Sequence, residues 1–178
     1  VCLMDEPLSN LDAQLRQEMR AELRELQQRL GLTVVYVTHD QAEAMSMADQ
    51  VVLLHQGKVE QCAAPRDMYA RPATTFAARF IGTPAMNLLK LNGDVIAGSD
   101  VRLPAPTGAA WLGLRPEAVQ LSTAVAEGVS AQVTGLEYLG ADVVLRCAIG
   151  SEQITVRAPG QQHASAGQAV PLRWHAED

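Results

Sequence analysis

Aromatic residues are scarce in this chain: two Trp, two Phe and three Tyr make up 4% of 178 residues. A base-stacking surface for nucleic acid needs such rings along a cationic groove. Trp111, Tyr138 and Trp174 are scattered, no Lys/Arg groove accompanies them, and the formal net charge is −6. A nucleic-acid partner is therefore excluded as an expectation. Cysteine is also sparse. Cys2, Cys62 and Cys147 are odd in number and far apart, which fits neither a disulfide framework nor a zinc knuckle. They read as core or surface thiols in a reducing cytoplasm. No apolar run approaches the roughly 18–20 residues of a membrane span; the strongest, Leu32 to Val37, is strand length. No basic stretch followed by an apolar one marks a secretory signal. Val1 in place of an initiator methionine leads us to expect a chain cut from a longer one.

What is present is a globular composition, with 48% apolar and 19% charged residues, so a folded chain is expected. Its opening run, Val1-Cys2-Leu3-Met4, ends in Asp5-Glu6-Pro7. Four apolar residues predict a fully buried strand, and Pro7 stops the ladder. Both acids thus fall where a strand leaves its sheet, the rim at which open α/β sheets bind ligands. There one carboxylate can hold Mg²⁺ while its neighbour orients a water. Asp-Glu-Pro alone would better suit a solvated turn. Downstream, Asp12 is a good N-cap, and Leu15, Met19, Leu23, Leu26 and Leu30 predict a helix from about Asp12 to Arg29, closed by Gly31. Thr33–Thr38 reads as a buried strand. A β–helix–β crossover makes it a parallel neighbour of the first, which puts His39 on the same rim as Asp5 and Glu6. A helix over Gln41–Met47, a hairpin of Val51–Leu54 with Lys58–Gln61 around Gln56-Gly57, and helices over Pro65–Ala70 and Thr74–Ile81 follow.

Beyond Thr83-Pro84 the helical period disappears. Strands are expected at Asn87–Leu91, Ala110–Arg115, Ala131–Tyr138, Asp142–Ala148, Gln153–Arg157 and Ala169–Trp174, punctuated by Asn92-Gly93, Gly140-Ala141, Gly150-Ser151 and Pro159-Gly160. This predicts a small β-barrel or sandwich.

The run Asp5 through Ala13, with Thr38-His39-Asp40-Gln41-Ala42-Glu43-Ala44, closely resembles the C-terminal half of ABC transporter ATP-binding subunits. Val1–Met4 with Asp5 matches Walker B, Glu6 the catalytic glutamate, Ser9-Asn10-Leu11-Asp12-Ala13 the D-loop, and His39 the switch histidine. The resemblance implies that Asp5 holds the Mg²⁺ of Mg-ATP, that Glu6 is the general base, and that His39 contacts the γ-phosphate. It also implies that Ser9, Asn10 and Asp12 reach toward a second subunit in a head-to-tail homodimer. Residues from about 84 onward resemble the OB-like regulatory (TOBE) region of maltose-, glycerol-phosphate-, polyamine- and sulfate-type importers, through Met86-Asn87-Leu88-Leu89, Gly113-Leu114-Arg115-Pro116-Glu117 and Glu137-Tyr138-Leu139-Gly140-Ala141-Asp142. Arg115 and Glu117 are left to pair with each other or bind a regulator, against a structural turn fixed by Pro116.

The expected architecture is therefore an α/β segment, a partial P-loop NTPase sheet over residues 1–82, followed by an all-β OB-like barrel over 83–178. The implied function is ATP hydrolysis coupled to solute uptake, the solute a sugar or glycerol 3-phosphate. The implied partners are two transmembrane permease subunits and, indirectly, an extracytoplasmic solute-binding protein. The implied location is the cytoplasmic face of the plasma membrane. The alternative is a regulatory, dimerisation or small-ligand module in which the NTPase segment is incidental. No G-x-x-x-x-G-K-[ST] phosphate loop, signature motif or glutamine loop occurs in these residues, so the chain by itself is expected neither to bind ATP usefully nor to hydrolyse it. Thr33–Thr38, central in the resembled sheet, becomes an exposed edge here, and exposed apolar edges pair with other chains. Light scattering at high concentration is expected to show dimers or larger species; a monodisperse monomer would count against this.

Overall fold

In the computed structural model, residues 1–103, 108–122 and 128–175 are described. They divide into two compact units, Val1–Ala77 and Ala78–Asp178.

The first unit is α/β. Strand β1 (Cys2–Asp5) pairs in parallel with β2 (Val34–Val37), with Cys2 opposite Val34 and Asp5 opposite Val37. Helix α1 (Ala13–Leu30) connects them. Asp12 caps its start by accepting from the Leu15 amide, and Gly31, at φ 61°, ends it in the left-handed conformation that glycine adopts without strain. Helix α2 (Gln41–Met47) follows, capped by Asp40. Then come the antiparallel hairpin β3 (Val51–His55) and β4 (Lys58–Ala63) and the short helix α3 (Pro65–Ala70); helix α4 (Thr75–Phe80) spans the boundary between the units. Gln56 and Gly57 both take positive φ, at 50° and 75°, which matches the right-handed twist of a two-residue hairpin.

The expectation that β1 is fully buried and β2 buried is corrected. Both alternate half-buried and exposed residues, and Leu3, Val35 and Val37 are 77%, 51% and 52% exposed. These strands form a sheet of only two, so one face stays open and both outer edges lack a strand partner among the described residues. Helix α1 likewise carries its apolar stripe without one fully buried residue.

The second unit is all-β and holds a continuous core. Its main sheet has the order β11-β10-β9-β12-β8, built from β8 (Gln120–Leu121), β9 (Val129–Tyr138), β10 (Asp142–Ile149), β11 (Glu152–Pro159) and β12 (Ala169–Arg173). A smaller sheet joins β5 (Asn87–Asn92) to β6 (Val95–Ile96) and β7 (Trp111–Leu114). Period-two alternation drives Val143, Leu145, Cys147 and Ile149 inward from β10, and Ile154, Val156 and Ala158 from β11. They meet Leu89, Leu91 and Leu114 from the smaller sheet in one cluster. Cys147 is fully buried, and desolvation pushes its thiol up to about 11. Strands β6 and β8, two residues each, are not foreseen from sequence, being too short for a period to register.

The outer edge of β11 is closed by side-chain and loop groups. Buried Asn87 accepts from the Thr155 amide at 2.7 Å and donates to the Thr155 carbonyl at 2.8 Å, imitating a backbone pair. Two residues on, the Arg157 amide donates to the Pro116 carbonyl. Arg115 is buried and donates to the Ile81 carbonyl at 2.5 Å, which gives it a structural role inside this unit. Gly150 passes so close to Gly98 that a Cβ would sit 2.2 Å from its carbonyl oxygen.

Asn87→Ala is expected to destabilise the protein by about 2–3 kcal/mol, two hydrogen bonds and the stranded Thr155 groups together, read by urea denaturation. A loss under about 0.5 kcal/mol, the size of an ordinary surface change, would show that the amide does not close the barrel edge.

Candidate active site

The parallel register sets the site. Asp5 ends β1 opposite Val37, and the Glu6 amide donates to the Val37 carbonyl at 2.9 Å. The chain then turns tightly at Glu6-Pro7-Leu8-Ser9. The Glu6 carbonyl accepts from the Ser9 amide at 3.2 Å and from Ser9 Oγ at 2.9 Å. Pro7 occupies the second turn position, where its fixed φ is favourable, and buried Leu8 anchors the loop. Glu6 itself has φ 46°. For a non-glycine residue that costs on the order of 1–2 kcal/mol, a strain that concentrates at functional sites.

His39, two residues beyond β2, meets Glu6 across the rim: Nδ1 lies 2.9 Å from Glu6 Oε1. Both side chains are solvent-accessible. The hydrogen bond to Glu6 and its charge raise the histidine pKa above 6.5. Glu6 and His39 are thus in direct contact. Ser9 braces the backbone of Glu6, Asp12 caps α1, and Asp5 and Asn10 are exposed.

Beneath this pair lies a second cluster that sequence reasoning missed. Glu43 is 2% exposed, and its Oε2 accepts from Tyr36 Oη at 2.9 Å and Thr38 Oγ1 at 2.8 Å. Burial, then the bond to Glu43, raises the Tyr36 phenol far above its ordinary value. Asp40 Oδ1 accepts from the amides of Ala42 and Glu43. Burial raises the Asp40 pKa, but those amides and Arg16 outweigh it and hold the carboxyl below its ordinary range. Arg16 donates to Asp40 Oδ2 at 3.3 Å and to the Leu11 carbonyl at 2.9 Å. A signal existed: hydroxyls at positions 36 and 38 share one face of the chain, and Glu43 follows Asp40 at capping-box spacing. The carboxylate turns inward to the hydroxyls.

Magnesium at nucleotide sites is held by one or two carboxylates together with substrate phosphates. Asp5 supplies one exposed carboxylate on the rim, and among the described residues no group of three or more His, Cys, Asp or Glu is gathered to hold a metal alone. Asp5 is thus a rim carboxylate that could supply one ligand to such an ion.

Residues 112–178 match the TOBE domain family. Proteins named sn-glycerol-3-phosphate import ATP-binding protein UgpC match across both units. That of Chromohalobacter salexigens is 49% identical over 97% of this chain and 50% of its own length. That of Cupriavidus necator is 42% identical over 99% and 54%. A third, from Rhodopseudomonas palustris, is 55% identical over 69% and 33%. The chain belongs to the ABC importer ATP-binding subunits. It spans about half the length of the curated relatives it matches. An α/β segment followed by an all-β OB-like unit is the fold that this ABC-subunit assignment leads one to expect.

The His39–Glu6 contact has a pH signature. A raised folded pKa means the imidazolium–carboxylate pair favours the folded site fully below about pH 6.5 and is lost as pH rises through the folded midpoint. Glu6→Gln is expected to lower the His39 midpoint in an NMR titration. An unchanged midpoint would show that the contact does not exist in solution.

Proposed function

We propose that the protein to which this chain belongs binds and hydrolyses ATP with Mg²⁺ and couples that to solute import. The carrying observation is the 2.9 Å Glu6–His39 contact where two parallel strands end. In this reading residues 1–82 provide one side of the ATPase site and 83–178 the regulatory barrel. Asp5 holds the metal, which when bound neutralises charge on the phosphates. Glu6 accepts a proton from the attacking water. His39 engages one Glu6 oxygen through Nδ1, fixing the carboxylate and leaving Nε2 as the ring atom to meet a phosphate. Ser9, Asn10 and Asp12 lie on the adjoining loop and face a second ATP-binding subunit.

Two permease subunits and an extracytoplasmic solute-binding protein complete the transporter in this reading, at the cytoplasmic face of the membrane. No helix among the described residues is long and apolar enough to cross a membrane. The names of the relatives favour glycerol 3-phosphate as solute. The phosphate cradle is not among these 178 residues, so isolated, the chain binds ATP poorly and does not turn it over.

In the full-length protein, Glu6→Gln is expected to lower magnesium-dependent ATP hydrolysis by roughly 10²–10⁴-fold, the ordinary contribution of a general base, with ATP binding retained. Uptake of labelled glycerol 3-phosphate should fall with it. A Glu6→Gln protein that hydrolyses ATP at the wild-type rate, or steady turnover by the 178-residue chain, would overturn the reading.

A further inference from the structure

The buried cluster beneath Glu6 and His39 joins two stretches of chain that carry different parts of the rim. On one side, Arg16 Nη2 donates to the carbonyl of Leu11, within the loop Ser9–Asp12. On the other, Arg16 Nη1 donates to Asp40, the residue after His39. Its Nε is buried without a hydrogen-bond partner and lies 3.9 Å from Glu43 Oε1. Glu43 in turn holds Thr38, the residue before His39, whose Oγ1 also accepts from the Asp40 amide at 2.9 Å. Both neighbours of an exposed histidine are thus locked by one guanidinium–carboxylate pair. A cavity of about 20 Å³ is lined by Glu6, Ser9, Arg16, Thr38, Asp40 and Glu43 together with His39, so rim and cluster border the same space.

We propose that Arg16 is a positioning residue, which, through Asp40 and Glu43, holds the His39 backbone where its ring reaches Glu6 and ties that placement to the Leu11 loop. The guanidinium is what lets Arg16 do this. Its planar fork presents donors in fixed directions, which a lysine cannot reproduce. Without it, buried Glu43 loses its ion-pair partner at 3.9 Å and keeps the hydroxyls of Tyr36 and Thr38 as donors, with Arg20 acting on the same cluster only through its charge; an underpaired buried carboxylate is costly. Thr38 then loses its anchor, the Leu11 carbonyl loses its donor, and His39 is released on both flanks.

The proposal rests on the ATPase reading for its functional meaning, but its structural content can be tested separately. In an NMR titration of the 178-residue chain, two effects of Arg16→Gln have opposite signs. Removing a nearby cation merely by charge would raise the His39 midpoint. Losing the Glu6 contact would lower it. The expected result is a fall toward the midpoint of Glu6→Gln, with Arg16→Lys giving little rescue. An unchanged or raised midpoint in a folded variant overturns the proposal. Should Arg16→Gln fail to fold, Thr38→Val removes the hydroxyl's bonds to Glu43 and to the Asp40 amide while leaving every charge in place; the same fall supports the proposal and an unchanged midpoint overturns it. In the full-length protein, Arg16→Gln should lower kcat roughly ten- to a hundredfold with nucleotide affinity unchanged, the scale of about an ångström of misplacement. If His39 shifts as expected but Glu6→Gln leaves hydrolysis intact, the ATPase reading fails while the positioning role stands.

Discussion

The register of one short parallel ladder governs the candidate site. With Asp5 opposite Val37 and the Glu6 amide on the Val37 carbonyl, the acids and the histidine leave the sheet at the same end and level. Side chains alternate along a strand, so a slip of one residue would turn every one of them to the opposite face. Four paired positions hold this arrangement. They suffice because the turn at Pro7, the Asp12 and Asp40 caps and the Arg16 bridge each fix one exit from the ladder.

The two units solve the burial problem differently. The barrel-like unit encloses its apolar residues in one cluster. The α/β unit leaves Leu3, Val35 and Val37 open, and its buried charged group is Glu43. Polar order thus substitutes for apolar packing near the rim, where a carboxylate is satisfied by Tyr36, Thr38 and a neighbouring arginine. Such a network is either complete or costly, which makes it a rigid support for side chains that themselves lie in solvent.

Much of this was legible in the residues. The Leu15-to-Leu30 spacing, Asp12 and Gly31 define α1; Gln56-Gly57 defines its hairpin; the alternation in 142–149 and 152–159 defines the paired strands. The rim was legible because Asp5-Glu6-Pro7 and Thr38-His39-Asp40 each sit at a strand's end. What was not legible was non-local. Burial of β1 and β2 depends on what covers their faces, which an apolar run cannot say. The roles of Arg16 and Glu43 depend on three segments meeting, and a helix-surface arginine looks like many others. Asn87 has the same character: an amide in an apolar strand shows its purpose only when Thr155 stands opposite.

The order of strands in the larger sheet has a consequence in time. Strand β12, at 169–173, inserts between β9 and β8, and β5 is clamped to β11 across 68 positions of sequence. Contacts this distant close late, because a long loop must be ordered before they form. During synthesis the β9–β10–β11 meander can assemble from local hairpins, but β9 keeps an open edge until β12 has emerged. Among the described strands it is β12 that covers this edge, so during synthesis there is an interval in which the most apolar sheet is complete on one side only.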